Sequence, residues 1–149
     1  MIQYKIATME DIAELMTIRL EMLREVNILS KDYIFSEDFC VYSRDYFLNG
    51  LHTTVLAVDE KDEENGENEK TIGCASMCYI ELIPTFSHPT GKRSHLMNVY
   101  TAPDYRGQGM ARRMVEMLIE EARRRGVTEI SLDATASGRP LYKKAGFQD

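Results

Sequence analysis

At 149 residues with 44% hydrophobic side chains, the chain is long enough to bury a proper core and fits one domain over residues 1–149. Its net charge of −6 argues against general affinity for nucleic acid or anionic membranes, so neither is expected as a partner. No apolar run approaches the roughly 20 residues that span a bilayer, and the N-terminus lacks the apolar core of a signal peptide; a cytoplasmic protein is expected.

Ile2 to Ile6 alternates and predicts a short strand, after which Thr8-Met9-Glu10-Asp11 resembles a capping box that opens a helix. Ile12, Leu15, Met16, Leu20, Leu23 and Val26 recur at spacings of three and four, which predicts one buried stripe on a charged helix. The methionines there read as core filler. A less regular helix is expected from Ser36 to about Leu48, ending near Asn49-Gly50.

Thr53 to Val58 and Thr71 to Ile83 read as an antiparallel strand pair, separated by the polar stretch from Asp59 to Glu69, expected to be a solvated, mobile tip. Pro84 to Ser94 reads as a loop and His95 to Thr101 as the next strand. Cys40, Cys74 and Cys78 cannot all pair; Cys74 and Cys78 lie two strand periods apart on one face and are expected as buried thiols. His52, His88 and His95 show no paired ligand spacing, so no metal is expected.

A helix then begins near Gly107, with Ala111, Met114, Val115, Leu118 and Ala122 predicted on its inward stripe. Arg123, Arg124 and Arg125 suit the negative end of its dipole and Gly126 a left-handed cap, so these arginines need no other role. Val127 to Asp133 predicts another strand. Ser137 is the expected cap of a short helix that tolerates Pro140 in its first turn and ends at Gly146.

The join between the strand ending at Thr101 and the helix near Gly107 is the most informative segment. Arg106, Arg112 and Arg113 cluster at a helix N-terminus, where cations are unfavourable and backbone N–H groups have no intrahelical partner. A bound phosphate would accept those N–H groups, neutralise the arginines and require small residues at Gly107 and Gly109 for close approach. The competing reading is a tight glycine turn flanked by solvated arginines. The turn is not a Walker A loop, since no Gly-Lys-Ser/Thr follows, and the third glycine of a dinucleotide fingerprint would fall on Arg112. Strand, turn, helix and strand make a right-handed crossover that places the turn at a strand's carboxyl end, where open sheets bind ligands. With antiparallel strands before it, the expected fold class is α/β, a mixed, mostly antiparallel sheet flanked by helices on both faces.

Val99-Tyr100-Thr101-Ala102-Pro103 followed by Arg106-Gly107-Gln108-Gly109-Met110-Ala111 resembles the acetyl-CoA signature of the GNAT superfamily of N-acetyltransferases, Gln/Arg-x-x-Gly-x-Gly/Ala, through Arg106, Gly109 and Ala111. Leu141-Tyr142-Lys143-Lys144-Ala145-Gly146-Phe147 resembles a second element of that family, Leu-Tyr-x-x-x-Gly-Phe. The resemblance implies the GNAT (acyl-CoA N-acyltransferase) fold, acetyl-CoA as cosubstrate and direct acetyl transfer to a primary amine, a small molecule or a protein lysine or N-terminus. It implies that backbone groups of Val99, Tyr100 and Thr101 hold the pantetheine arm. Arg106, Gly107, Gln108, Gly109, Met110, Ala111 and Arg112 would cradle the pyrophosphate.

Tyr142 matches the family tyrosine that protonates the departing thiolate, and a phenol of pKa about 10 facing a thiol of pKa about 8.5 is a workable pair. A core tyrosine with a satisfied hydroxyl is the alternative. Deprotonating an amine of pKa about 10.4 at pH 7 costs about 4.6 kcal/mol, so a base or water chain should help. The candidates are Glu81, His95, which sits where many relatives carry a glutamate, and Asn98 as a water or substrate anchor. The sequence departs from the family pattern in having no asparagine across Asp133-Ala134-Thr135-Ala136-Ser137. It also stops at Phe147-Gln148-Asp149, where relatives continue into a last strand; an absent strand or one replaced by another subunit would leave an exposed edge and a tendency to form a homodimer. Nothing from Glu21 to Arg93 names the amine. The alternatives of another class are a catalytically inactive, acetyl-CoA-sensing regulatory module and, more distantly, a nucleotide-binding protein.

Overall fold

The computed structural model describes residues 1–60, 69–135 and 138–148. Its elements run β1 (Ile2–Ile6), α1 (Ile12–Val26), α2 (Glu37–Asn49), β2 (His52–Asp59), β3 (Lys70–Glu81), β4 (Lys92–Thr101), α3 (Met110–Arg124), β5 (Glu129–Leu132) and α4 (Arg139–Lys144). The five strands form one sheet in chain order; β1 to β4 are successively antiparallel, and β5 is parallel to β4. That is the mixed, mostly antiparallel sheet the sequence predicts.

Local chemistry sets the helix starts. Thr8 donates its amide to Asp11 Oδ2 at 2.8 Å and its Oγ1 accepts from the Glu10 amide at 3.3 Å, the reciprocal capping box ahead of α1. Ser36 Oγ accepts from the Phe39 amide at 3.2 Å and starts α2. The expected cap at Ser137 lies outside the described residues, as does most of the acidic stretch between β2 and β3; α4 follows Gly138 and carries Pro140 in its first turn.

The sheet is buried on both faces, which is why β2 reads as a continuous apolar run. Val55, Ala57, Ala75, Met77 and Leu96 meet Met110, Met114, Val115, Leu118 and Ala122 of α3 on one face. Leu56, Val58, Cys74 and Tyr100 meet Leu15, Ile18 and Met22 of α1 on the other. Each large apolar side chain buried this way contributes about 1.5–3 kcal/mol, and the two layers fix α1 and α3 on opposite faces of β4.

Several boundaries differ from the sequence reading. The stripe of α1 that reaches the sheet is Leu15, Ile18 and Met22, while Val26 is 55% exposed. In α3, Met110 rather than Ala111 enters the core. β4 starts at Lys92, because Lys92, Arg93 and Ser94 pair with Glu81, Ile80 and Tyr79; β3 accordingly ends at Glu81. Gly91 closes the β3–β4 connection with φ +68°, and a Cβ there would lie 2.2 Å from the Leu82 carbonyl oxygen, so only glycine fits. β5 is shorter than predicted, Glu129–Leu132, since pairing begins opposite Arg93. All three cysteines are free thiols; Cys74 is buried, Cys40 and Cys78 half-buried. No helix among the described residues is long and apolar enough to cross a membrane.

Leu118 is fully buried between α3 and the sheet. We predict that Leu118→Ala lowers unfolding free energy by about 2–5 kcal/mol in urea melts, through lost transfer energy and a residual cavity; a loss under about 1 kcal/mol would contradict the packing described.

Candidate active site

β4 outruns its parallel neighbour. The register of β4 and β5 runs from Arg93 opposite Glu129 to Leu96 opposite Leu132, and there β5 ends while β4 continues to Thr101. Beyond Leu96, one edge of β4 therefore has no strand beside it among the described residues. A cleft of about 1170 Å³ opens at this point, walled by β4, α1, the turn before α3 and α4.

Within the same stretch β4 is bulged. Cys74 pairs with Tyr100 and Ser76 with Met97, so Asn98 and Val99 together oppose Ala75. Asn98 takes φ +60°, a conformation asparagine tolerates better than most side chains. Its amide is held from both sides: Oδ1 accepts from Arg19 Nη1 at 3.0 Å, and Nδ2 donates to Ser76 Oγ at 3.4 Å. The bulge keeps Val99 against the α3-side core while Tyr100 packs against α1.

The turn that follows β4 is anchored before it reaches α3. The Ala102 amide donates to the Ile72 carbonyl at 2.8 Å, and the Tyr105 hydroxyl donates to Asp59 Oδ2 at 2.6 Å. Gly107 and Gly109 adopt φ +79° and +81°, and a Cβ on either would point into open space. Both glycines are thus explained by conformation, with room left in front of the backbone. The first helical hydrogen bond of α3 is from the Arg113 amide to the Gly109 carbonyl at 3.1 Å. Among the described residues, the amides from Gly107 to Arg112 donate no hydrogen bond. No side chain caps this helix, and no acidic residue lies in its first turn. Such a row of undonated amides at the positive end of a helix dipole is a site for an anion.

The arginines of the turn are less bare than the sequence implies. Arg106 donates Nε to the Thr101 carbonyl at 2.8 Å, lies over the Tyr100 ring at 5.5 Å and pairs through Nη2 with Glu25 of α1. Arg112 pairs with Glu116 one helical turn on, at 2.9 Å. With Arg106 and Arg112 each paired to a carboxylate, the backbone amides carry the argument for an anion here.

The remaining predicted residues divide. Val99, Thr101, Ala111, Asn98 and His95 line the cleft, and Tyr142 closes it from α4. Tyr100 and Met110 also line it, with their side chains largely buried in the two cores. Gln108 is exposed and outside the lining, and Glu81 stands exposed at the end of β3 opposite Lys92, also outside it. Thr101 Oγ1 is buried without a hydrogen-bond partner among the described residues.

Tyr142 is half-buried and packs edge-on against Phe147, with ring centres 6.0 Å apart. Burial pushes its phenol above the usual value, which keeps it protonated throughout the neutral range. On the opposite side, His95 Nδ1 lies 2.7 Å from Ser131 Oγ, and that hydroxyl can donate onward to the Ser94 carbonyl at 3.4 Å. The other ring nitrogen of His95, Nε2, lies 3.8 Å from Asp133 Oδ2.

Sequence reasoning passed over Arg19 and Glu25. Arg19 lies one turn after Leu15 and one residue after Ile18, a charge on the margin of the buried stripe; that placement was its only signal. The Glu25–Arg106 pair joins distant parts of the chain and left none.

The family model that matches residues 20–147 is that of the acetyltransferase (GNAT) family. A solved structure described as a predicted acetyltransferase with acetyl-CoA, from Clostridium acetobutylicum, is 32% identical, covers 100% of this chain and 91% of its own, and superimposes with a TM-score of 0.81. Glucosamine 6-phosphate N-acetyltransferase of Trypanosoma brucei brucei is 29% identical over 79 residues, 53% of this chain and 52% of that protein. Ribosomal protein bS18-alanine N-acetyltransferase of Escherichia coli (strain K12) is 39% identical over 57 residues, 36% of this chain and 38% of that protein. The chain thus spans about half or less of these two relatives. A match over most of the chain, together with the fold and the open edge of β4, shows that the chain belongs to the acetyltransferase (GNAT) family.

Proposed function

We propose that the protein transfers the acetyl group of acetyl-CoA to a primary amine by direct attack. The observation that carries this reading is the row of undonated amides from Gly107 to Arg112, placed where β4 runs on without a neighbouring strand. The named acceptors of the relatives, an amino sugar phosphate and a protein alanine, support an amine as the acceptor. When bound, acetyl-CoA supplies a thioester whose carbonyl carbon the amine attacks, forming the C–N bond and breaking C–S.

The chain's own residues have separate tasks in this reading. The amides from Gly107 to Arg112 donate to the pyrophosphate oxygens, and the free edge of β4 at Val99 to Thr101 offers backbone groups to an extended amide-bearing arm. The Tyr142 phenol, held protonated by burial, gives its proton to the departing sulfur. His95 Nε2 takes a proton from the amine, directly or through water, while Ser131 fixes the ring. Asn98, with both ends of its amide engaged, holds the bulge in shape.

The reading is tested by titrating acetyl-CoA into the purified protein, with ATP and NAD as controls, and then following thiol release over a panel of amines. Selective binding with amine-dependent thiol release is expected; binding with no release for any amine would instead support the non-catalytic sensing module. We predict that Gly109→Glu abolishes acetyl-CoA binding. Gly109→Ala carries the same backbone penalty, about 1–2 kcal/mol, yet keeps measurable affinity. Equal affinity in the glutamate variant would remove the anion from this turn. Tyr142→Phe should lower turnover by about 10²–10⁴-fold with little change in acetyl-CoA affinity; turnover at the wild-type rate would take the phenol out of the mechanism.

A further inference from the structure

Arg19 is a charged feature of the cleft that the steps above leave unused. It projects from the middle of α1, is half-buried, and lines the opening beside Met22, Leu23 and Met97, which are apolar. Its single hydrogen bond among the described residues is Nη1 to Asn98 Oδ1, a neutral acceptor. A guanidinium has five N–H donors and a charge that a neutral amide oxygen does not balance. Burial lowers its pKa, with the Cys74 and Cys78 thiols as opposing influences; Cys74 is itself pushed up to about 12 by burial and stays neutral. The two carboxylates on the cleft wall are placed elsewhere: Glu25 pairs with Arg106, and Asp133 faces His95.

The phosphates of acetyl-CoA do not account for this cation. Arg19 precedes Glu25 by nearly two helical turns, about 9 Å along α1, and Glu25 is the residue that meets Arg106 at the amide-rich turn. Along β4 the same order holds: Arg106 binds the Thr101 carbonyl, Arg19 binds Asn98, and His95 lies further back. Leu96 and Val99 pack into the α3-side core, so by strand alternation His95 and Met97 face the α1 side, which is also the side from which Arg19 reaches Asn98. The candidate base and the uncompensated guanidinium therefore share one face of β4.

We propose that the acceptor is a compact amine bearing an anionic group, carboxylate or phosphate, and that Arg19 binds that group while the amine lies toward His95. This rests on the acetyltransferase reading. A planar guanidinium pairs with either anion through two parallel hydrogen bonds, and at a half-buried site such a pair is stronger than an exposed one. The anion would also discharge the unpaired charge on the cleft wall, so binding gains on both partners.

The test uses the protein saturated with CoA and two matched probe pairs, phosphoethanolamine against ethanolamine and lysine against lysinamide, measured by calorimetry. At least one anionic probe is expected to bind tenfold or more tightly than its neutral counterpart, and the pair that shows the contrast tells phosphate from carboxylate. Arg19→Ala should abolish the contrast and Arg19→Lys should restore part of it, since the lysine keeps the charge and loses the fork. Equal affinities within both pairs, no binding by either anionic probe, or an undiminished contrast in Arg19→Ala would overturn the proposal. Thiol release from acetyl-CoA in parallel samples separates the two readings. A charge contrast without release would count against the transferase and leave Arg19's role standing, whereas release with no contrast would do the reverse.

Discussion

Everything in this site depends on β4 continuing five residues past the point where β5 stops. A strand edge left unpaired normally invites aggregation or is covered, and here the exposed N–H and C=O groups are set inside a cleft instead. The length difference comes from pairing register: β5 begins opposite Arg93 and ends at Leu132, and among the described residues no strand continues the ladder beside Met97 to Thr101. The same strand then carries the bulge at Asn98 and Val99, which lets its side chains serve both cores while its free edge faces the opening.

The second requirement is that α3 point its N-terminus at that edge. Its apolar stripe from Met110 to Ala122 holds the helix on the sheet, so burial energy fixes the direction of the dipole and the position of the free amides. The turn leading into it is fastened by the Ala102–Ile72 and Tyr105–Asp59 hydrogen bonds, while the two left-handed glycines present backbone without side chains. Preorganised donors of this kind lose little entropy when an anion arrives. Tyr142 closes the cleft from α4, where burial raises the pKa of its phenol, and His95 lies on the α1-facing side of β4 with Nδ1 against Ser131 Oγ.

Much of this was legible in the sequence, for identifiable reasons. Gly107 and Gly109 mark a tight turn where backbone can be approached closely, Thr8 and Ser36 mark helix starts by side-chain chemistry, and Thr53 to Val58 mark a strand; the structure adds the left-handed φ of the glycines and the burial of that strand on both faces. The stripe of α1 was misread because two overlapping sets satisfy helical spacing, and choosing Leu15, Ile18 and Met22 depends on where the sheet lies. The bulge at Asn98, the early end of β5 and the Glu25–Arg106 pair depend on register and on contacts between distant segments, which no local pattern encodes. Arg19 belongs to this group: a charge at the edge of an apolar stripe gains meaning only when β4 is set across from it.

The central claim is that the amides from Gly107 to Arg112 and the free edge of β4 together receive acetyl-CoA. Backbone amide NMR of the isotope-labelled protein titrated with acetyl-CoA tests it residue by residue. The account predicts that the largest shifts and the greatest gain in exchange protection fall on residues 107–112, followed by 99–101, with the β1 and α2 amides little affected. Saturating acetyl-CoA that leaves the 107–112 amides unshifted, or that acts mainly elsewhere, would contradict it.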